Sequence, residues 1–412
     1  MRMYARHRLD LSLGDVACGV LACFGVWGRR RLERRALRVC GLEGNGMVCL
    51  SVRTGWDLYL RALGLERGDE VLASAVTHPD MARIARGHGL RVVPVDLDPE
   101  TLAPRVGCLE AACMDRTRVV LLAHLFGGRV DLGPVRRFAR ERGLLLVADC
   151  AQAFAGPDEM DHPGADASLY SFGPVKTATA LGGALLSVGD ARVLARMREL
   201  GSDYPVQRRS EYAGRLLKAS ALLCVGGPRV YGFLLSFGAR FGTNIEGIIG
   251  RSARSFPPGG RVGGLSRRIR RRPSAPLLAS LARRLERFDG EALSARAAAG
   301  DRLSRMLDPS ILQPGRGSIG RTHWLLPVVV RNPDHLVRSL RRRGFDASRA
   351  TSNIAALGHL AGSPRARAAE GMMAGIVFLP AYPSLPEAAR EELATAVNEL
   401  TISVAPGRRV TA

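Results

Sequence analysis

Short apolar runs alternate with amphipathic stretches between residues 50 and 188. The runs at 119–122 and 144–147 are apolar at every position, which is typical of strands in a parallel sheet that is covered on both faces. The stretch at 132–142 between them has the spacing of an amphipathic helix. Strands that alternate with helices in this way predict an α/β domain built on a mostly parallel sheet.

The same pattern places the individual elements. It predicts strands over 70–72, 90–95, 118–124, 144–149, 168–172 and 184–188, and helices over 55–63, 81–88 and 132–142. Ligands of such sheets bind at the carboxyl ends of the strands. Asp149 and Ser171 lie at the carboxyl ends of two predicted strands, so both are candidates for a site.

The remainder of the chain suggests further parts. Prolines and glycines at 257–260 precede an Arg-rich run at 267–272, a composition that favours a break between domains. Beyond it, strands at 324–330 and 376–379 and a last helix at 387–400 predict a smaller α/β domain. We therefore divide the chain into an N-terminal segment (1–48), a large domain (49–255), a basic linker with a connecting helix (256–288) and a small C-terminal domain (289–412).

The charge and the cysteines of the chain limit the functions that we expect of it. The chain has 60 Lys and Arg against 38 Asp and Glu, a formal net charge of +22. It has no zinc-finger, RRM or KH signature, and aromatic residues make up only 5%, so we do not expect nucleic-acid binding. The eight cysteines form no C-x-x-C pair, which predicts reduced thiols in a cytoplasmic protein and no metal site. A basic surface also suits phosphorylated small molecules.

The N-terminal segment contains an apolar run at 16–27 with arginines on both sides. The run is too short to span a bilayer. We expect an amphipathic helix packed on the body of the protein or on a partner subunit, and we leave open a helix that lies in a membrane interface. A second apolar and basic stretch, at 216–240, has the same character.

Lysine is almost absent from the chain. Reading along the sequence finds only Lys176 and Lys218 among the 60 basic residues. Lys176 lies between two strand-like runs, where an ordinary positive charge in this chain would be an arginine. A lysine amine with a lowered pKa can form a Schiff base, which the guanidinium of arginine cannot. Lys176 is thus the candidate catalytic residue, with a solvated surface lysine as the alternative.

Two motifs frame this lysine. Asp149 and Gln152 lie in a D-x-A-Q motif, and Ser171 and Lys176 lie in an S-F-x-P-x-K motif that a G-G-A sequence follows. With these motifs at this spacing, the chain resembles the DegT-type sugar aminotransferases from about residue 50 to its end. These are pyridoxal-phosphate enzymes of fold type I. The resemblance implies a large domain with a mostly parallel sheet and a smaller C-terminal α/β domain.

The resemblance also implies roles for the motif residues. Lys176 would form the imine with pyridoxal 5'-phosphate and move the proton between substrate and cofactor. Asp149 would pair with the ring nitrogen, Gln152 would bond to the ring hydroxyl, and Ser171 would bind the phosphate. The alternatives are a carboxylate that caps a helix for Asp149 and ordinary turn hydrogen bonds for Gln152 and Ser171.

The chain departs from the family pattern in three places. Where the family usually has Ser-Gly-Thr before the first helix, this chain reads Ser51-Val52-Arg53-Thr54-Gly55, and Arg53 and Thr54 could still bind phosphate there. His78 takes the place of the aromatic residue that stacks on the cofactor ring, although it could equally be an ordinary loop histidine. The family's asparagine that reaches the partner subunit's phosphate is missing. We expect an arginine of 270–272 to replace it, or that run to be a solvated basic face.

Together these features predict a homodimeric, pyridoxal-phosphate-dependent aminotransferase. It would move an amino group from an amino-acid donor, glutamate in our interpretation, to a keto-sugar linked to a nucleotide. One alternative is another fold-type I chemistry, a lyase or a dehydratase, but the family's dehydratases carry histidine where Lys176 stands. The other is a catalytically silent protein of this fold that acts by binding partners.

Overall fold

The computed structural model describes residues 2–6, 8–160, 164–240, 262–349 and 354–402. The predicted proline and glycine break at 257–260 lies outside these ranges. The strands are β1 Gly46–Cys49, β2 Glu70–Ser74, β3 Val76–Thr77, β4 Arg91–Val95, β5 Thr117–Ala123, β6 Gly128–Arg129, β7 Leu145–Asp149, β8 Ala167–Ser171, β9 Ala184–Val188, β10 Gly320–Arg321, β11 Leu326–Val329, β12 Ala355–Ala356 and β13 Ile376–Leu379.

Helices fill the connections between these strands. They are α1 Leu13–Phe24, α2 Arg29–Val39, α3 Val52–Leu63, α4 Pro79–Gly87, α5 Val106–Ala112, α6 Gly133–Glu141, α7 Ala191–Ser202, α8 Arg209–Val225, α9 Pro228–Arg240, α10 Val262–Ile269, α11 Ala275–Glu286, α12 Gly290–Met306, α13 Pro333–Arg342, α14 Arg367–Gly375 and α15 Glu387–Ile402.

A seven-stranded sheet forms the centre of the described structure. Its strand order is β1-β9-β8-β7-β5-β2-β4. The neighbours from β8 to β4 are parallel, whereas β9 is antiparallel to both β8 and β1. Strands β2 and β9 are buried at every position, as a sheet covered on both faces requires. The predicted α/β class with a mostly parallel sheet is confirmed.

The register of the sheet brings the candidate residues to one edge. Ala123 at the end of β5 pairs with Asp149 at the end of β7. Ser171 ends β8 two positions beyond Leu169, the residue that pairs with Asp149. The carboxyl ends of three adjacent strands therefore lie side by side, where a site is expected.

The C-terminal part has a core of its own. Strand β11 pairs antiparallel with β13, and helices α13 and α15 pack with them around a cluster of buried side chains. This cluster includes Leu303, Leu340, Phe345, Val377 and Leu393. The arrangement agrees with the smaller α/β unit that the sequence predicts for this region.

The apolar run near the N-terminus forms a helix, but its bounds differ from the predicted 16–27. Helix α1 begins earlier because Ser12 and Asp15 form a capping box, and it ends before Gly25, whose backbone is extended. Helices α1 and α2 both pack on α11. Within the described ranges, no helix is long and apolar enough to cross a membrane.

Candidate active site

Lys176 lies in a tight loop that follows β8. Its backbone N–H donates to the carbonyl of Gly173 (3.0 Å), and the hydroxyl of Thr179 donates to the same carbonyl (2.6 Å). The N–H of Ala178, which has a φ of 52°, donates to the carboxylate of Asp10 (2.6 Å). A non-glycine residue in the left-handed region is held there only by such surrounding contacts. The loop is thus fixed from both sides.

The side chain of Lys176 points into a partly buried position. Its Nζ lies 4.0 Å from the centre of the Trp324 ring, and the indole of Trp324 donates to the carbonyl of Val175 (2.7 Å). Burial lowers the pKa of Lys176 to about 8, Asp149 opposes this shift, and Arg53 adds to it. A lysine with a pKa near 8 has a substantial neutral fraction, which nucleophilic attack and proton abstraction require.

Asp149 is a buried carboxylate at the end of β7. Its Oδ1 accepts the backbone N–H of Ala151 (3.0 Å). Burial raises its pKa, while that hydrogen bond and the charges of Lys176 and Arg53 act in the opposite direction. Among the residues that the structure describes, no basic side chain lies within salt-bridge distance of Asp149. A buried carboxylate of this kind favours a cationic partner.

Gln152 follows Asp149 in the turn after β7. Its Oε1 accepts the backbone N–H of Phe126 (3.0 Å), so the side chain is anchored at the neighbouring strand end. Phe126 has a φ of 58° and begins the turn that Gly127 continues. With its oxygen engaged in this way, the amide of Gln152 has its NH₂ group left to donate.

Ser171 stands at the end of β8 and pairs with Ala184 of β9. Its side chain is half-buried. The structure therefore places it at the same edge of the sheet as Asp149, one strand away. The contact of Ser171 with a phosphate stays a prediction.

Arg53 and Thr54 lie in the first turn of α3, which begins at Val52 because Ser51 caps it. The hydroxyl of Thr54 donates to the carbonyl of Ile269 (2.8 Å). Thr54 thus bonds to the chain's own backbone, and its predicted phosphate contact would have to compete with that bond. Arg53 forms a salt bridge with Asp80 (2.8 Å).

His78 caps the next helix, α4, because its Nδ1 accepts the backbone N–H of Asp80 (3.1 Å). A neutral ring that accepts at Nδ1 carries its proton on Nε2. Its Nε2 lies 3.0 Å from a guanidinium nitrogen of Arg53, which donates to it when the ring carries its proton on Nδ1 instead. Burial, together with the charges of Arg53, Lys176 and Arg83, lowers the pKa of His78 well below its usual value. The lowered pKa favours the neutral form of the ring.

The arginines at 270–272 contact groups of their own chain. Arg270 forms two hydrogen bonds with the carboxylate of Asp57 (both 3.0 Å), and Arg271 forms two with Glu211 (2.8 and 3.1 Å). Arg272 donates to the carbonyl of Tyr204 (2.8 Å). In this chain the three guanidinium groups bind carboxylates and a carbonyl of their own chain, and the expected contact with a partner subunit's phosphate stays a prediction.

The structure thus brings Lys176, Asp149, Arg53 and His78 into one electrostatic cluster. Sequence reasoning missed Trp324, which packs over the lysine from the C-terminal part of the chain. No local motif marks this tryptophan, since it belongs to the predicted strand at 324–330. In the part of the chain that the structure describes, no three His, Cys, Asp or Glu side chains are close enough to hold a metal ion.

Comparisons with known proteins find similar sequences and folds. The sequence model of the DegT/DnrJ/EryC1/StrS aminotransferase family matches residues 29–218. The chain is 28% identical over 375 residues to a dTDP-3-amino-3,4,6-trideoxy-α-D-glucose transaminase of Micromonospora megalomicea, a match that covers 85% of each chain.

Two solved structures show the same fold. The aminotransferase TlmJ of Streptoalloteichus hindustanus superposes with a TM-score of 0.69 at 19% identity, covering 98% of this chain and 99% of TlmJ. The protein NtdA of Bacillus subtilis, solved with bound cofactor PMP, superposes with a TM-score of 0.65 at 15% identity, covering 96% and 82% of the two chains.

Proposed function

We propose that the chain is a member of the DegT/DnrJ/EryC1/StrS aminotransferase family, whose sequence model matches residues 29–218, and that it transfers an amino group from glutamate to a keto-sugar linked to a nucleotide. The observation that carries the proposal is the position of Lys176. It is one of two lysines in the chain, its pKa is lowered to about 8, and it shares its cluster with the buried carboxylate of Asp149. The sugar acted on by the Micromonospora relative is likewise nucleotide-linked.

The residues present fit pyridoxal phosphate. Asp149 is buried without a salt bridge among the described residues, and a protonated ring nitrogen would supply its missing cationic partner. Arg53 adds a largely buried positive charge beside Asp149 and Lys176, which suits the anionic phosphate of the cofactor. Lys176 would hold the cofactor covalently, and Gln152 and Ser171 lie at the same sheet edge to bind its oxygens.

When bound, the cofactor would supply an electron sink for charge that develops on the substrate carbon. Lys176 would carry out the proton transfers. Since its pKa is about 8 instead of 10.5, its neutral fraction near neutral pH is about 300-fold larger than that of an ordinary lysine. Its Nζ can therefore take the proton from the amino-acid donor and return it to the acceptor.

Other residues position this amine and exclude water. The ring of Trp324 covers the ammonium on one side, and the contact from Asp10 fixes the loop behind it. Asp149 would keep the ring nitrogen of the cofactor protonated through its negative charge. The neutral ring of His78 can stack on the cofactor, although more weakly than a larger aromatic residue would.

We also propose that the chain works as a homodimer, and that the site lies between a large domain (49–255) and a small domain (289–412). The contact between Lys176 and Trp324 supports this position of the site, because it joins these two parts. Arg296 adds a second link, since it donates to the hydroxyl of Thr177 (3.0 Å) beside the lysine.

The test measures the two half-reactions with purified protein and pyridoxal phosphate. Glutamate should change the cofactor's absorbance and yield 2-oxoglutarate, and a nucleotide-linked keto-sugar should then gain an amino group by mass spectrometry. Lys176→Arg should abolish both half-reactions, whereas the matched control Lys218→Arg should keep them. Cofactor binding without amino transfer from any amino acid would contradict the proposal and favour a silent binding protein.

A further inference from the structure

The outward face of helix α1 is apolar along its whole length. The helix buries Val16, Gly19 and Ala22 against the protein. Its other face exposes Leu13, Val20, Leu21 and Phe24, at positions that recur with helical spacing. A helix that is apolar on both faces is normally covered on both. The single charged residue of the helix, Asp15, is bound to Arg284 of the body (2.9 Å).

The residues around α1 extend this face. Just after the helix, Val26 is 98% exposed and Trp27 is 50% exposed. Helix α8 packs beside α1, with Leu216 against Gly19, and it exposes the next residue, Leu217. We call this set the outer apolar surface. It consists of Leu13, Val20, Leu21, Phe24, Val26, Trp27 and Leu217.

Charges of one sign surround the outer apolar surface. The carboxylates on its helices are bound within the chain: Glu33 pairs with Arg29, and Glu211 pairs with Arg271. The exposed basic side chains next to the surface have no salt bridge among the described residues. These are Arg30, Arg31 and Arg34, which follow Trp27 in the sequence, and Lys218, which follows Leu217. From residue 212 to residue 240 the sequence contains no acidic residue at all.

The segment that carries α8 is anchored at its base. The chain leaves the large domain at Pro205 and returns at Arg272, where the N–H of Arg272 donates to the carbonyl of Pro205 (2.9 Å). The N–H of Gln207 donates back to the carbonyl of Arg272 (2.9 Å). Both ends of the segment 205–272 are therefore fixed at one point of the large domain. Within this segment, α8 packs against α1. Helix α9, which follows α8, also exposes Val230 and Phe233.

We propose that the outer apolar surface docks onto an anionic lipid surface. Apolar side chains would enter the headgroup region, Trp27 would lie at the boundary that tryptophan prefers, and the surrounding basic residues would bind lipid phosphates. A second copy of the chain fits less well, because a two-fold contact would bring two basic rims together in a protein of net charge +22. This proposal does not rest on the proposed enzymatic function, since binding is measured without turnover.

The first experiment measures sedimentation of the full chain with vesicles of phosphatidylcholine, with and without phosphatidylglycerol. We expect binding only to the anionic vesicles, and loss of binding at high salt. The variant Arg30→Gln/Arg31→Gln/Arg34→Gln should weaken binding about 100-fold, since each basic residue near an anionic membrane contributes roughly a factor of five to the affinity. Its matched control changes three exposed arginines far along the chain to glutamine, namely Arg302, Arg305 and Arg338.

A second pair of variants tests the apolar part. Leu21→Gln/Phe24→Gln should abolish vesicle binding, whereas Met114→Gln/Ile319→Gln, which changes two residues exposed elsewhere, should not. If the first variant fails to fold, quenching of Trp27 fluorescence by brominated phosphatidylglycerol replaces it. The quenching should disappear in Trp27→Phe.

Several results would overturn the proposal. They are a lack of binding to anionic vesicles, equal losses in the test and control variants, or quenching that persists in Trp27→Phe. A change of oligomeric mass in Leu21→Gln/Phe24→Gln with unchanged vesicle binding would assign the surface to a second copy of the chain instead.

Discussion

The substitution Asp57→Asn tests the buried ion pair that anchors the basic run. Asp57 is 1% exposed and accepts hydrogen bonds from Arg270, His88 and Tyr204. Burial alone would raise its pKa, but the hydrogen bonds from His88 and Arg270 outweigh burial and lower the pKa from 3.8 to about 2. A shift of nearly two units corresponds to about 2 kcal/mol of stability.

The substitution should cost more than this linkage value, because it leaves the guanidinium of Arg270 without its charged partner. The side chain of Arg270 is 37% exposed, so water solvates it in part, and the total should stay below the cost of breaking a fully buried pair, which is about 3–5 kcal/mol. Urea unfolding followed by circular dichroism should show the loss at pH 7. The matched control is Asp334→Asn, which removes an exposed partner of Arg349 and should cost less than about 1 kcal/mol.

The pH dependence gives an independent check. A carboxylate with a lowered pKa stabilises the fold fully above its unfolded pKa, near 3.8, and this stabilisation is lost as the pH falls through about 2. The difference in stability between the wild type and Asp57→Asn should therefore be constant from pH 7 to pH 5 and shrink below pH 4. A cost at pH 7 no larger than that of the control would refute the reasoning.

Three further predictions concern the site. Asp149→Asn should keep the fold but lower turnover about a thousandfold or more, since each ~1.4 kcal/mol of barrier is tenfold; near-normal turnover would mean that Asp149 does not face the cofactor. The rate at which the apoprotein takes up pyridoxal phosphate should rise with pH through about 8, as Lys176 loses its proton; a rise centred near 10.5 would contradict the lowered pKa. Trp324→Leu should move that profile to lower pH, because the ring stabilises the charged amine, and an unchanged profile would show that the ring has no such effect.

The strands could be predicted from the sequence because their patterns reflect burial. The strand at 184–188 coincides with β9, and that at 376–379 with β13. Helix starts were less accurate, since they depend on single capping contacts. We expected the first helix of the large domain at 55, but Ser51 starts α3 at Val52.

The site, like the helices and strands, could be predicted only in part. Motif spacing pointed to Lys176 and Asp149, and the structure brings them into one cluster. The sequence could not show that His78 would contact Arg53, or that Thr54 would bond to Ile269, because each of these two contacts joins separate parts of the chain.

The basic run illustrates the limit most clearly. The five arginines within 267–272 predict a phosphate ligand, and the structure shows in addition that the last three bind carboxylates and a carbonyl of the same chain. A charge run in a sequence does not state where its counter-charges lie. Asp57 and Glu211 are more than fifty residues away along the chain, and only folding brings them to the arginines.

The most direct test of the central claim is to find where pyridoxal phosphate attaches. The protein is incubated with the cofactor, reduced with borohydride and digested, and the peptides are mapped by mass spectrometry. The account predicts a pyridoxyl group on Lys176 and none on Lys218. A label on Lys218, or no label on either lysine, would contradict it.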